Sequence, residues 1–233
     1  MRGTSYIAVI LLVLLTPALA VNTYGFEVSK TISDAEIRWD STEVSYQLNP
    51  SGGPAGSLAA IQASMATWTA VAASDFSFDY NGTTAKSICD LDYENIVTFG
   101  VLGADTLAQN AFWYYTATGE IVDSDIEVNS IYAWSTNGSA GTYDLQNVCT
   151  HEFGHSLSLA DLYNAADSEK TMYYMAGVEE TKKRTLHRDD INGIAYLYPH
   201  SGGDPDPHPD PGPAGPNGIT MPWVLQLLLD DES

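Results

Sequence analysis

The chain has 233 residues, enough for one core domain of roughly 150–170 residues with appendages and too few for two large ones. Thirty acidic residues against nine basic ones give a formal net charge of -21, which repels nucleic acid and anionic lipid and removes both from the expected partners. The charges are scattered rather than run together, a pattern that fits cation binding, a salty medium or plain solubility.

Residues 1–20, MRGTSYIAVILLVLLTPALA, carry one arginine, an apolar run from Ile7 to Leu15 and a small-x-small ending at Ala18 and Ala20, which is the pattern of an export signal. The run is well short of the ~20 residues that span a bilayer. A mature chain starting near Val21 is therefore expected outside the cell or in its envelope, as a monomer with no stable membrane span. Residues 21–34 read as a short polar lead. AEIRW at 35–39 and EVSYQLN at 43–49 alternate apolar and polar side chains and read as strands.

After the break SGGPAGS, the segment LAAIQASMATWTAVAA at 58–73 sets Ile61, Met65, Trp68 and Val71 at helical spacing, the mark of an amphipathic helix laid across a sheet. FSFDY at 76–80 and NIVTFG at 95–100 read as short strands, the second apolar enough to be interior. AFWYYTATGEIVDSDIEVN at 111–129 reads as two strands joined at an Ala-Thr-Gly turn. A helix follows from about residue 144, with Asp144 as its N-cap. The last helix runs from Arg188 to Leu197, opened by Asp189 and Asp190, whose charges suit its positive end, and closed by Pro199.

HSGGDPDPHPDPGPAGPN at 200–217 is a Pro/Gly/Asp-rich linker. The apolar-acidic tail 218–233, with its run MPWVLQLLL, suits either a docking or sorting peptide or a sticky end. This order of elements implies an α+β domain with a mixed sheet over 35–199. Cys89 and Cys149 are the two cysteines of an exported chain, so a single disulfide between them is expected.

Chemistry concentrates in CTHEFGHSLSLADLY, residues 149–163. Side chains four apart lie on one helical face, so His151 and His155 can aim ring nitrogens at one ion, with Glu152 reaching the space beside it. The plain alternative is a helix that happens to carry two histidines, since H-E-x-x-H arises by accident in on the order of one in a hundred chains of this length. A catalytic zinc uses three protein ligands. Asp161, six residues after His155, can supply the third if the chain leaves the helix and turns back, while Asp167, Glu169 and His187 are weaker candidates. Glu179 or Glu180 on a second helix would instead make a thermolysin-like site. In DSDIEVN at 123–129, Asp123, Asp125, Glu127 and Asn129 alternate along one strand face; such oxygen ligands suit calcium, and a solvated polar edge is the alternative.

These residues resemble the metzincins, and among them the matrixins and their snapalysin-type bacterial relatives. The family pattern is H-E-x-x-H-x-x-G-x-x-H; HEFGHSLSLAD matches its first five positions and departs at Ser158 and Asp161. KTMYYMA at 170–176 resembles the methionine turn, and RTLHRDDINGIAYLYP at 184–199 the closing helix.

The resemblance implies a metzincin-like catalytic domain: a mixed twisted β-sheet with an active-site helix, a sheet-packing helix and a C-terminal helix. It implies His151, His155 and Asp161 as zinc ligands, Glu152 as catalytic base, Met172 as the turn methionine, Tyr174 as an oxyanion or pocket residue, and structural calcium near the acidic strand. A glycine is usual where Ser158 stands, and keeping the same bend there costs about 1 kcal/mol. The function so implied is a secreted zinc endopeptidase acting on protein or peptide substrates, which would add as an extended strand near 111–115. A non-catalytic, metal-stabilised extracellular binding module on the same fold is the competing reading. No switch segment of the Pro-Arg-Cys-Gly type occurs, so activity is expected on export or under the control of another molecule.

Overall fold

The computed structural model describes residues 25–202 and the strand Val224–Leu229. The export signal, residues 203–217 of the linker and both flanks of the tail strand lie outside the described residues. In chain order the elements are β1 (Glu43–Leu48), α1 (Ser57–Thr69), β2 (Ser77–Thr83), β3 (Ile96–Gly100), β4 (Thr106–Tyr114), β5 (Ile121–Asn129), β6 (Trp134–Ser135) and β7 (Tyr143–Asp144). There follow α2 (Leu145–Ser156), β8 (Met175–Ala176), α3 (Arg188–Leu197) and β9 (Val224–Leu229).

One sheet runs in the order β2-β1-β3-β5-β4-β9-β8, and β6 and β7 form a small parallel pair of their own. The strands β2, β1, β3 and β5 pair in parallel, while β4 runs antiparallel to β5. The expected α+β architecture with a mixed sheet and three helices is thus the one observed. α1 is the crossover between parallel β1 and β2, and it buries Ile61, Met65 and Trp68.

Behind the sheet lies α2, buried along nearly its whole length, as befits a helix enclosed on every side. Two indoles fix its position: Trp68 Nε1 donates to the Thr150 carbonyl and Trp39 Nε1 to the Ser156 carbonyl, each at 2.8 Å. At its end, Ser156 Oγ receives the Tyr46 hydroxyl at 2.9 Å and Asn110 Nδ2 at 2.7 Å. The last turn is thereby tied to β1 and β4 through buried polar bonds, each stronger for being out of water.

Several boundaries differ from the sequence reading, each for a definable reason. Residues 35–39 do not form a ladder. They run extended through isolated bridges, Lys30 with Glu36 and Arg38 with Glu120, while Ile37 and Trp39 are buried. Alternation reported which side chains face inward and carried no information on pairing. α1 ends at Thr69, four residues early, because the Val71 amide turns back to the Trp68 carbonyl. β4 begins at Thr106, ahead of the expected 111, and the tail contributes β9.

The expected disulfide is absent, since Cys89 and Cys149 are both free. Cys149 is packed into the hydrophobic core on α2, whereas Cys89 lies among Asp125, Glu127 and Asp90 beside the acidic strand. The lead is folded from Gly25 onward, and Phe26, Ser29 and Thr31 are buried. Among the described residues no helix is long and apolar enough to cross a membrane.

Asp144 caps α2 as expected, its Oδ1 accepting from the Asn147 amide at 2.9 Å. The same carboxylate also accepts from Arg184 Nε at 2.8 Å and from the Gly138 amide at 3.0 Å. Replacing Asp144 with alanine is expected to lower stability by about 2 kcal/mol, seen as a fall in Tm of roughly 4–8 °C by calorimetry.

Candidate metal centre

The centre is built on the last two turns of α2 and the chain that leaves it. His151 and His155 are fully buried and stack edge to face, with ring centroids 4.5 Å apart. His151 Nδ1 lies 2.7 Å from the Thr171 carbonyl, and His155 Nδ1 lies 2.8 Å from the Leu159 carbonyl. A carbonyl can only accept, so each Nδ1 carries the proton and each Nε2 keeps a lone pair. Those two lone-pair nitrogens stand 3.0 Å apart.

α2 ends in a Schellman turn: the Leu159 amide donates to the Gly154 carbonyl at 3.0 Å and the Ser158 amide to the His155 carbonyl at 2.7 Å. The left-handed residue is Ser158, at φ 74°, in the place such turns usually give to glycine. The bend expected at this position is therefore kept despite the side chain, and Ser158 Oγ is buried without a partner. The lead clamps the strained segment from outside, with the Ser29 amide on the Ser158 carbonyl and the Ala160 amide on the Glu27 carbonyl, both at 2.9 Å.

The turn delivers Asp161, whose Oδ1 lies 3.2 Å from His151 Nε2 and 3.5 Å from His155 Nε2. With both rings neutral, neither nitrogen has a proton to offer, and Asp161 Oδ1 is then buried without a hydrogen-bond donor. Burial drives His151 down to about 3, with Lys183 and His155 adding to the fall. His155 moves upward instead, because the Asp161 carboxylate outweighs its burial. Asp161 is held well below the usual carboxylate range: burial alone would raise it, and the His155 charge with the two imidazoles overcomes that. Among the described residues, His151, His155 and Asp161 are the group whose ligand atoms lie within 4.8 Å of one another, as a metal ion would require. Two imidazole nitrogens and a carboxylate oxygen are a zinc-compatible donor set, and the orphaned oxygen and facing lone pairs are what such an ion would satisfy.

Glu152 is fully buried with both carboxylate oxygens unpartnered, and burial pushes it up to about 8. The turn at Thr171 and Met172 is held by Asp190 of α3, which accepts from the Thr171 amide at 2.9 Å, the Met172 amide at 3.3 Å and the His187 amide at 2.8 Å. Asp190 was legible in the sequence only as a favourable charge at a helix start; it also fixes the carbonyl that orients His151. Met172 is buried against Gly154, where an added Cβ would come within 2.2 Å of its sulfur. A glycine in the middle of a buried helix was the available signal for that close approach.

Lys183, unremarked in the sequence, is fully buried, donates to the Tyr173 carbonyl and lies 3.5 Å from His151 Nδ1. Burial lowers it to about 8, opposed by the charges of Glu180, Asp161 and Glu152.

The rival ligands are occupied elsewhere. Glu179 accepts from the Gly141 amide at 2.9 Å, and Glu180 from Asn147 Nδ2 at 3.2 Å. His187 caps α3 in a capping box with Asp190. The ring of Tyr174 packs on Tyr163 and Tyr173, and the Tyr163 hydroxyl reaches Asp161 Oδ2 at 3.4 Å.

On β5, Asp123 Oδ2 accepts from the Asp92 and Tyr93 amides, and Asp125 from the Ile96 and Asp90 amides, while Glu127 takes a bond from Gln109. These carboxylates secure the loop before β3, and Asp123 Oδ1 is left buried without a hydrogen-bond partner.

Two substitutions of opposite sign test the geometry of the helix end. Ser158→Gly is expected to stabilise the protein by about 1 kcal/mol, raising Tm by roughly 2–4 °C. Gly154→Ala is expected to destabilise it by about 1–2 kcal/mol, overpacking against Met172 and Trp68 outweighing the gain in helix propensity. Thermal melts of the two variants read both effects.

The family model of the matrixins, peptidase family M10, matches residues 38–199. Neutrophil collagenase from Homo sapiens is 39% identical over 80 residues, 34% of this chain and 16% of that protein. Matrix metalloproteinase-18 from Xenopus laevis is 27% identical over 184 residues, 77% of this chain and 36% of its own length. The chain thus spans about a third or less of these two relatives. Among solved structures, high choriolytic enzyme 1, a hatching enzyme zinc-protease from Oryzias latipes, aligns with a TM-score of 0.41 and 12% identity over 74% of this chain and 98% of that one. With its family model matched over residues 38–199, this chain belongs to the matrixin family.

Proposed function

We propose that the protein is a secreted zinc endopeptidase in which His151, His155 and Asp161 hold the metal and Glu152 is the general base. The observation that carries this reading is Glu152. A buried carboxylate with neither oxygen hydrogen-bonded is destabilising, and it lies in the helical turn that bears both histidines. A metal site serving structure alone has no use for such a group.

Zinc bound at the three donors would supply a Lewis acid that polarises a peptide carbonyl and acidifies a water molecule. The chain's own groups do the rest. The carbonyls of Thr171 and Leu159 hold the imidazoles in the tautomer that leaves Nε2 free. Glu152, one residue after His151 on α2, would take a proton from water and pass it to the leaving amine, and its burial strengthens its hold on that proton. Buried Lys183 offsets part of the negative charge of Glu152 and Asp161. The sequence likeness to a collagenase and a matrix metalloproteinase supports protein substrates, and the export-signal pattern of residues 1–20 supports action outside the cell.

Glu152→Gln should keep one zinc per chain and lose about 10²–10⁴ in kcat on a casein-type substrate, whereas Asp161→Ala should lose the zinc. A chelator should abolish hydrolysis and added zinc restore it. Undiminished hydrolysis by Glu152→Gln would return the site to the binding-module reading.

A further inference from the structure

β4 would be the outer edge of the sheet were it not for β9. That strand pairs antiparallel with β4, from Thr106 opposite Leu228 to Ala111 opposite Val224. Its other side pairs in parallel with β8, Met175 opposite Leu228 and Ala176 opposite Leu229. β8 directly follows the turn that orients His151, and β9 also lies against α2, the helix bearing both histidines and Glu152. A backbone slot with two hydrogen-bonding rims thus runs beside the candidate metal centre, and residues 224–229 of the same chain fill it.

We infer that β9 is a resident competitor: the tail strand VLQLLL occupies in cis the place that an extended peptide takes when it binds beside Glu152. The inference rests on the peptidase reading above. The main-chain groups of a strand serve any extended peptide, so the slot takes substrate and tail by the same bonds and cannot take both. Residues 224–229 carry no charge and five of the six are valine or leucine, so the slot favours uncharged, aliphatic extended segments. The strand belongs to the same chain, so it competes for the slot intramolecularly, whereas a free peptide must be supplied at a concentration high enough to displace it. A peptide offered at lower concentration competes poorly, so the tail sets a threshold for substrate and relaxes its hold when the linker is cut.

The test compares the full chain with a full-length Gln226→Pro, Leu227→Pro variant. Gln226 and Leu227 pair with Gln109 and Ala108 of β4, and neighbouring amides of a strand point to opposite sides, so one of the two prolines removes a bond to β4. Both proteins carry Glu152→Gln so that no probe is cut, and the probe is a fluorescent peptide PWVLQLLLDD. The variant is expected to bind it at least tenfold more tightly. Amides of 106–111 are expected to exchange with deuterium faster in the variant and to regain protection when the peptide is added.

Equal binding by the two proteins, or equal exchange at 106–111, would overturn the inference. Protection that depends on protein concentration would overturn it as well, by assigning the strand to a second copy. With Glu152 present, the variant should hydrolyse an aliphatic peptide with a several-fold lower KM and unchanged kcat. Tenfold tighter binding without hydrolysis by either protein would support the tail's occupancy of the slot and overturn the peptidase assignment alone.

Discussion

Everything at the centre depends on two imidazole protons being placed on the wrong side of the ring for mutual comfort. Because the Thr171 and Leu159 carbonyls each take an Nδ1 proton, the Nε2 atoms of the neutral rings turn their lone pairs toward each other and Asp161 Oδ1 in a buried space. With both rings neutral these three electron-rich atoms repel, and burial sharpens the conflict, which is why the Asp161 carboxylate draws His155 upward. A divalent cation removes the conflict at once. The arrangement therefore points to metal through what its hydrogen bonds leave unsatisfied, independently of any motif.

Much of the surrounding fold serves to hold those two carbonyls and one carboxylate in place. Asp190 on α3 fixes the Thr171 amide, and so the first carbonyl. The Schellman end of α2 fixes Leu159 and points the chain toward Asp161, with the lead pinning the strained residue from outside. α2 is held by two indoles and by the Tyr46, Asn110 and Ser156 network. The strain at Ser158 is one that its neighbours over-determine, as local strain near functional sites commonly is.

The sequence disclosed what local spacing can disclose. A separation of four put His151 and His155 on one face, and the offset of Asp161 requires a reversal that the turn at Ser158 supplies. Short-range rules placed the Asp144 cap and the start of α3. What they missed is long-range. Asp190, Lys183 and Gly154 matter through contacts with elements distant in the chain, and no local pattern encodes those. Residues 35–39 show the same limit, since alternation reports burial while pairing depends on where other segments lie. Composition argued for a disulfide from the oxidising compartment, yet Cys149 is committed to the core and the cysteines remain free. The tail looked like an appendage because its partner strand lies more than a hundred residues upstream.

The central claim is that a lone divalent ion is shared by His151, His155 and Asp161. Anomalous diffraction at the zinc edge, from crystals of the zinc-soaked full chain, tests it directly. A single peak is expected about 2.0–2.2 Å from both Nε2 atoms and from one oxygen of Asp161. A peak bound instead by Glu179 or Glu180, or none beside the imidazoles, would contradict it.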